Sequence, residues 1–83
     1  MLEISYSNQV LKFFKKLNKE IANRILAKIE DLKNNPFPQN VKRLEAGKLF
    51  RVRVGKYRIL YEVDYPNNLL GIIKIDKRER VYD

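Results

Sequence analysis

Two alternating runs on either side of Gly55-Lys56 constrain this chain more than any other feature. Residues 49–54 (LFRVRV) and 57–64 (YRILYEVD) carry the β-branched and aromatic side chains that suit a pleated, half-buried surface. Gly at the first central position marks a two-residue type II′ turn, whose twist matches that of the strands it joins. Such a turn predicts a register: Val54 faces Tyr57, Arg53 faces Arg58, Val52 faces Ile59, Arg51 faces Leu60 and Phe50 faces Tyr61. Side chains alternate between the two faces of a sheet. Phe50, Val52, Val54, Tyr57, Ile59 and Tyr61 therefore share one face, assigned here to the core, and Arg51, Arg53 and Arg58 share the other.

The rest of the chain supplies what the apolar face needs. Residues 2–6 (LEISY) alternate as a short strand, and Ser7 or Asn8 can cap a following helix. Val10, Leu11, Phe13, Phe14 and Leu17 then form one helical stripe. Asn18 can cap a second helix, with the stripe Ile21, Ile25, Leu26, Ile29 and Leu32. Asn34-Asn35-Pro36 ends it. Residues 69–76 (LLGIIKID) read as a last strand after the turn Tyr65-Pro66-Asn67-Asn68. The expected order is βααβββ, class α+β: an antiparallel sheet packed against an N-terminal helical hairpin. The place of the first strand and the register of the last two strands stay open. Ile4, Phe13, Phe14, Leu17, Ile25, Ile29, Val52, Ile59, Tyr61 and Ile73 are the expected core. At 83 residues, with no linker or repeat, residues 1–83 make a single domain.

Charge and absences narrow the function. There are 18 Lys+Arg against 10 Asp+Glu, a net charge of +8, which favours an anionic partner. Without cysteine there is no disulfide and no thiolate metal site. Without histidine the usual general base and the commonest metal ligand are missing. Asp76 and Glu79 are too few carboxylates for a magnesium site, so no metal or other cofactor is implied. No apolar run approaches the ~18 residues of a membrane span, and the N-terminus lacks a signal-peptide layout. The chain is expected to be cytoplasmic, with no membrane partner.

The arginines carry the chemical argument. Like charges directly opposite one another destabilise a sheet, and Arg53 and Arg58 form such a pair with Arg51 close by. Solvated guanidinium stems that splay apart are the plain reading. The sharper one is phosphate binding, because the planar guanidinium fork grips phosphate bidentately. Arg78, Arg80 and Tyr82 follow the last strand, and six of the seven arginines lie between 43 and 80. Arginine for phosphate with an aromatic ring for an unstacked base suits a single RNA strand. Tyr82 could equally pack on the sheet edge. Lys12, Lys15 and Lys16, with Lys19, give a second positive surface. Such a run is most often the solvated side of a helix, and an RNA-backbone contact is its alternative. Lys48, Lys56 and Arg80 are further candidates for holding RNA.

The succession KRLEAGKLF, LFRVRVGKYRILYEV, an apolar strand and KRERVYD resembles the RelE/ParE superfamily of toxins from type II toxin–antitoxin pairs, over nearly the whole chain. The resemblance is to its messenger-RNA interferase branch and implies the RelE-like microbial RNase fold. It implies cleavage of messenger RNA in the ribosomal A site, where the ribose 2′-OH attacks the adjacent phosphate, and so inhibition of translation. Arg51 and Arg53 match the two basic positions of the strand before the hairpin turn. Arg58 matches the arginine after the hairpin tyrosine, Arg78 the tail arginine, and Tyr82 the closing tyrosine. Arginines aimed at the charge developing on the non-bridging oxygens would stabilise the transition state. Arg51 and Arg58 would clamp the phosphate with Arg53 beside them, Arg78 would steady the leaving oxygen, and Tyr82 would hold the base.

One departure bears on mechanism. The best-known RelE pattern has lysines where this chain has Arg51 and Arg53, and arginine does not give up its proton. Glu79, Lys56, Lys48 or Glu45 could serve as base, or the site could work by positioning and charge alone. The alternatives are a ParE-like poison of DNA gyrase and an inactive basic RNA-binding module. The resemblance also implies a cognate antitoxin as partner, with an acidic segment that wraps the basic surface, alongside the ribosome and messenger RNA.

Overall fold

The structure is a computed structural model and describes residues 1–44 and 48–77. Its elements are β1 (Glu3–Tyr6), α1 (Asn8–Lys16), α2 (Lys19–Asn34), β2 (Lys42–Arg43), β3 (Leu49–Val54), β4 (Tyr57–Asp64) and β5 (Leu69–Lys77). The expected βααβββ order holds, with the two-residue β2 added, too short to show a period. Among the described residues no helix is long and apolar enough to cross a membrane.

Both helix starts are capped from the side chain. Val10 N–H donates to Ser7 Oγ at 3.2 Å, and Ile21 N–H donates to Asn18 Oδ1 at 2.9 Å. Each bond satisfies a donor that the first helical turn leaves orphaned. α2 closes where Asn35 N–H bonds Asp31 O at 2.9 Å, just ahead of Pro36.

The strands form one sheet in the order β1-β5-β4-β3-β2. The β3–β4 hairpin adopts the expected register, from Val54↔Tyr57 through Arg53↔Arg58 to Phe50↔Tyr61. Gly55 has φ +58° while Lys56 does not share a positive φ, as a type II′ turn requires. β4 and β5 are also antiparallel, but β1 joins the far edge of β5 in parallel. A parallel neighbour needs a long crossover, and here the whole of α1 through β4 intervenes.

Both helices cover one face of the sheet, α1 over β5 and α2 over β3. Val10, Ile25, Ile29, Leu32, Val52, Ile59, Tyr61, Leu70, Ile72 and Ile75 are fully buried there. Ile4, Phe13, Phe14 and Leu17 pack partly buried against them. Phe13 meets Tyr57 edge-on, Phe14 meets Tyr6 likewise, and Phe50 stacks on Tyr61.

Three expected core or stripe positions differ. Leu11 and Leu26 are exposed. Each follows a fully buried residue, Val10 or Ile25, by about 100° of helical rotation, which carries it off the packed side. Ile73 is also exposed, because a bulge in β5 interrupts the ladder. Leu60 pairs with Lys74 and Tyr61 with Ile72, leaving Ile73 as the extra residue. The bulge lets Ile72 and Ile75, an odd number of residues apart, both face the helices. It also turns Lys74 to the opposite face, across from Leu60.

Candidate functional site

The face of the sheet turned away from the helices carries Arg51, Arg53 and Arg58. Alternation along β3 and β4 puts them there once Val52 and Ile59 are committed to the core. Arg51 and Arg58 are half-buried and Arg53 is exposed. With Asn40, Lys42 and Val52 they line a shallow pocket of about 290 Å³. Lys42 enters it because β2 pairs Lys42 with Arg51. Three arginines and a lysine give this open depression a positively charged lining, chemistry suited to an anion.

Asp76 completes the arrangement. It lies directly across from Arg58 on β5, and the two make a bidentate ion pair: Arg58 Nε and Nη2 donate to Asp76 Oδ1 and Oδ2, each at 3.1 Å. The pair is largely shielded, with side chains 14% and 29% exposed. Lys74 Nζ stands 4.0 Å from Asp76 Oδ2. The like charges of Arg53 and Arg58 thus meet a carboxylate on the next strand, which sequence reading considered only as a metal ligand. Only the bulge brings Asp76 opposite Arg58, and no local sequence signal marks it. Asn40 and Lys42 carry no sequence signal for this site, because the two residues of β2 are too few to show a strand period.

The other expected contacts do not gather here. Lys12, Lys15 and Lys16 are exposed on α1, in the helical layer on the far side of the sheet. Lys56 sits in the hairpin turn beside a second pocket that includes Arg24, Tyr57 and Lys77. Lys48 borders an aromatic groove with Phe37, Arg43, Phe50 and Tyr65, where the Arg43 guanidinium lies 6.0 Å from the Phe50 ring centre. Arg78, Glu79, Arg80 and Tyr82, like Glu45, lie outside the described residues. Two tyrosines have raised pKa values, and both are on the helix side. Burial pushes Tyr61 up to about 12; burial, then the charge of Glu30, raises Tyr6. The Tyr61 hydroxyl donates to Pro36 O, tying β4 to the end of α2.

Comparison with known proteins adds to this geometry. Residues 4–82 match the family model described as the ParE toxin of the type II toxin–antitoxin system parDE. A candidate toxin RelE1 of Methanocaldococcus jannaschii is 35% identical, the match covering 95% of this chain and 92% of that protein. Among solved structures, the toxin fold of the archaeal RelE–RelB complex from Pyrococcus horikoshii superposes with a TM-score of 0.84 at 30% identity, over 96% of this chain and 98% of that one. Isolated Escherichia coli RelE gives 0.86 at 18% identity, over 98% and 88%, a likeness of fold. Matched over almost all of its length, the chain belongs to the ParE toxin family of type II toxin–antitoxin systems, and its fold is that of the RelE toxins.

Proposed function

We propose that this protein is a toxin that cleaves messenger RNA in the ribosomal A site and so stops translation. The observation that carries the reading is the placing of Arg51, Arg53 and Arg58 on one open face around a common depression of about 290 Å³. Attack of a ribose 2′-OH on the neighbouring phosphorus makes the 2′-oxygen–phosphorus bond and breaks the bond to the 5′-oxygen of the next nucleotide. A 2′,3′-cyclic phosphate and a 5′-hydroxyl result. Guanidinium groups fixed beside the non-bridging oxygens lower the barrier by stabilising charge that appears only in the transition state. Arg51 and Arg58 serve as the clamp and Arg53 supports them; Arg58 does so with Nε and Nη2 already committed to Asp76. Resemblance assigns Arg78 to the leaving oxygen and Tyr82 to the base. Lys12, Lys15, Lys16, Lys48, Lys56 and Arg80 steer the protein toward the RNA-rich particle as a general positive field.

An antitoxin is the second partner. The related Pyrococcus horikoshii and Mycobacterium tuberculosis structures are toxin–antitoxin complexes. A net charge of +8 suits an acidic wrapping segment whose association slows as salt rises.

The test is translation-dependent cleavage. The purified chain is added to ribosomes stalled on a defined codon, and messenger ends are mapped by primer extension with Arg58→Ala, Arg78→Ala and Tyr82→Ala alongside. Cuts within the A-site codon, lost in the variants, are expected. A second reading, a gyrase poison, draws on the ParE name of the matched family. Intact messenger together with blocked supercoiling by gyrase would establish it instead.

A further inference from the structure

Among the described residues no strand pairs with the outer edge of β5 beyond residue 72, because β1 ends its pairing at Tyr6↔Ile72. Ser7, the N-cap of α1, and Gln9 in its first turn bond to this edge. Ser7 N–H donates to Ile72 O at 3.0 Å, and Ser7 Oγ donates to Ile73 O at 2.6 Å. The Gln9 amide then bonds both backbone groups of Ile75: its Nε2 donates to Ile75 O at 3.1 Å, and its Oε1 accepts from Ile75 N–H at 3.2 Å. Ser7 and Gln9 therefore grip β5 on either side of the Ile73–Lys74 step, where the extra residue sits.

The bulge has a consequence for the arginine face. A ladder continued without it from Tyr61↔Ile72 would set Arg58 opposite Ile75, an apolar residue. With one residue inserted, Asp76 is opposite Arg58, and Ile75 turns inward to be fully buried. Bulges commonly re-aim a side chain in this way.

We infer that Asp76 is the positioning residue for Arg58, and that Ser7 and Gln9 hold it in place by pinning the bulge. The inference rests on the proposed role of Arg58 at the phosphate. A guanidinium on a flexible stem loses orientation entropy when it binds. One already locked by a bidentate carboxylate has lost most of it beforehand, so it meets the phosphate at a fixed angle. Asp76 also places a negative charge near the anionic substrate, so it weakens ground-state binding while sharpening the transition-state contact.

Two readouts test this. In single-turnover cleavage on stalled ribosomes, Asp76→Asn is expected to lower the rate at saturation by about ten- to a hundredfold, the cost of a misaligned group. The half-saturating ribosome concentration should hold or fall. Asp76→Glu, which keeps the carboxylate, should recover much of the rate. Gln9→Glu, isosteric but unable to donate to Ile75 O, should lower the rate in the same direction though it lies off the arginine face. A rate unchanged or raised in Asp76→Asn would overturn the inference, since the pair would then be idle or would hold Arg58 away from substrate. Melting curves confirm that each variant is folded at the assay temperature. The second readout is the Arg58 Nε–H signal by nitrogen relaxation in the free protein. It should be ordered in the wild type, mobile in Asp76→Asn and partly mobile in Gln9→Glu. Equal order in all three would overturn the inference whatever the activity. Failure of the wild type to cleave defeats the proposed function and leaves the relaxation experiment to decide the positioning.

Discussion

The two faces of the sheet come from the same strands and have opposite chemistry. Toward the helices, Val52, Ile59, Tyr61, Leu70, Ile72 and Ile75 are sealed from water. Away from them, Arg51, Arg53, Arg58, Lys74 and Asp76 share the surface with Leu60. Burial at roughly 25 cal/mol per Å² of apolar surface makes the first face the source of stability. The second adds little and, at Arg53↔Arg58, opposes it. Because alternate residues of one strand serve the two faces, the core and the arginine face are specified together. A slip by one residue would bury the arginines and expose the core. The Asp76 carboxylate lets the second face exist at small cost, by neutralising Arg58 where solvent screens it least.

The largest contrast comes from neighbours on the paired strands β4 and β3. Ile59→Ala should cost about 2–5 kcal/mol, as deletion of a fully buried branched side chain does. Arg53→Ala, one strand away on the other face, should change stability by about 0.5 kcal/mol or less. Urea unfolding of the two variants checks this. Comparable losses would mean that the arginine face is structural.

Tyr61 tests the buried face through pH. The phenol ionises near its ordinary 10 in the unfolded chain but only near about 12 in the folded one. The folded state therefore keeps a proton that the unfolded state gives up. Its stabilising contribution is complete below pH 10 and is lost as pH rises through 12. Tyr61→Phe removes the bond to Pro36 O and should cost about 1–3 kcal/mol at neutral pH. The gap in melting temperature between it and the wild type should close between pH 10 and 12. A constant gap would place the Tyr61 hydroxyl in contact with solvent.

A smaller effect is expected at the turn that joins the faces. Gly55 occupies the left-handed region at φ +58°, which costs a residue with a Cβ roughly 1–2 kcal/mol. Gly55→Ala should destabilise by about that amount. Gly55→Asn, a side chain that tolerates this region, should cost less. Equal, negligible losses in both would contradict the type II′ geometry.

How far these elements could be read from sequence depended on whether the determining signal was local. Gly55-Lys56 is a two-residue instruction, and it yielded every pair from Val54↔Tyr57 to Phe50↔Tyr61 and hence the shared face of Arg51, Arg53 and Arg58. Asn18 was likewise legible as a cap, and the first cap as Ser7 or Asn8, of which Ser7 serves, since a cap acts within three residues. The β4–β5 register was not, because it depends on Ser7 and Gln9 gripping residues 66 positions further along. The Arg58–Asp76 pair follows from that register and was illegible for the same reason. The parallel seat of β1 also depends on distant contacts, and two residues of β2 are too few for any pattern.

The smallest expected effect bears most directly on that register. Ile72 and Ile73 are adjacent and chemically identical, so sequence periodicity cannot rank them. In the bulged ladder Ile72 is fully buried and Ile73 is 37% exposed. Ile73→Thr keeps the β-branched shape and places its hydroxyl where water can reach it, so a change of about 0.5 kcal/mol is expected. Ile72→Thr would bury the same hydroxyl in the core with no partner and should cost several times more. Paired urea titrations read the difference directly. If instead Ile73→Thr were the costly variant, β5 would run with its other parity beside Tyr61. The inward place of Ile72, and the grip of Ser7 and Gln9 that supports it, would then have to be redrawn.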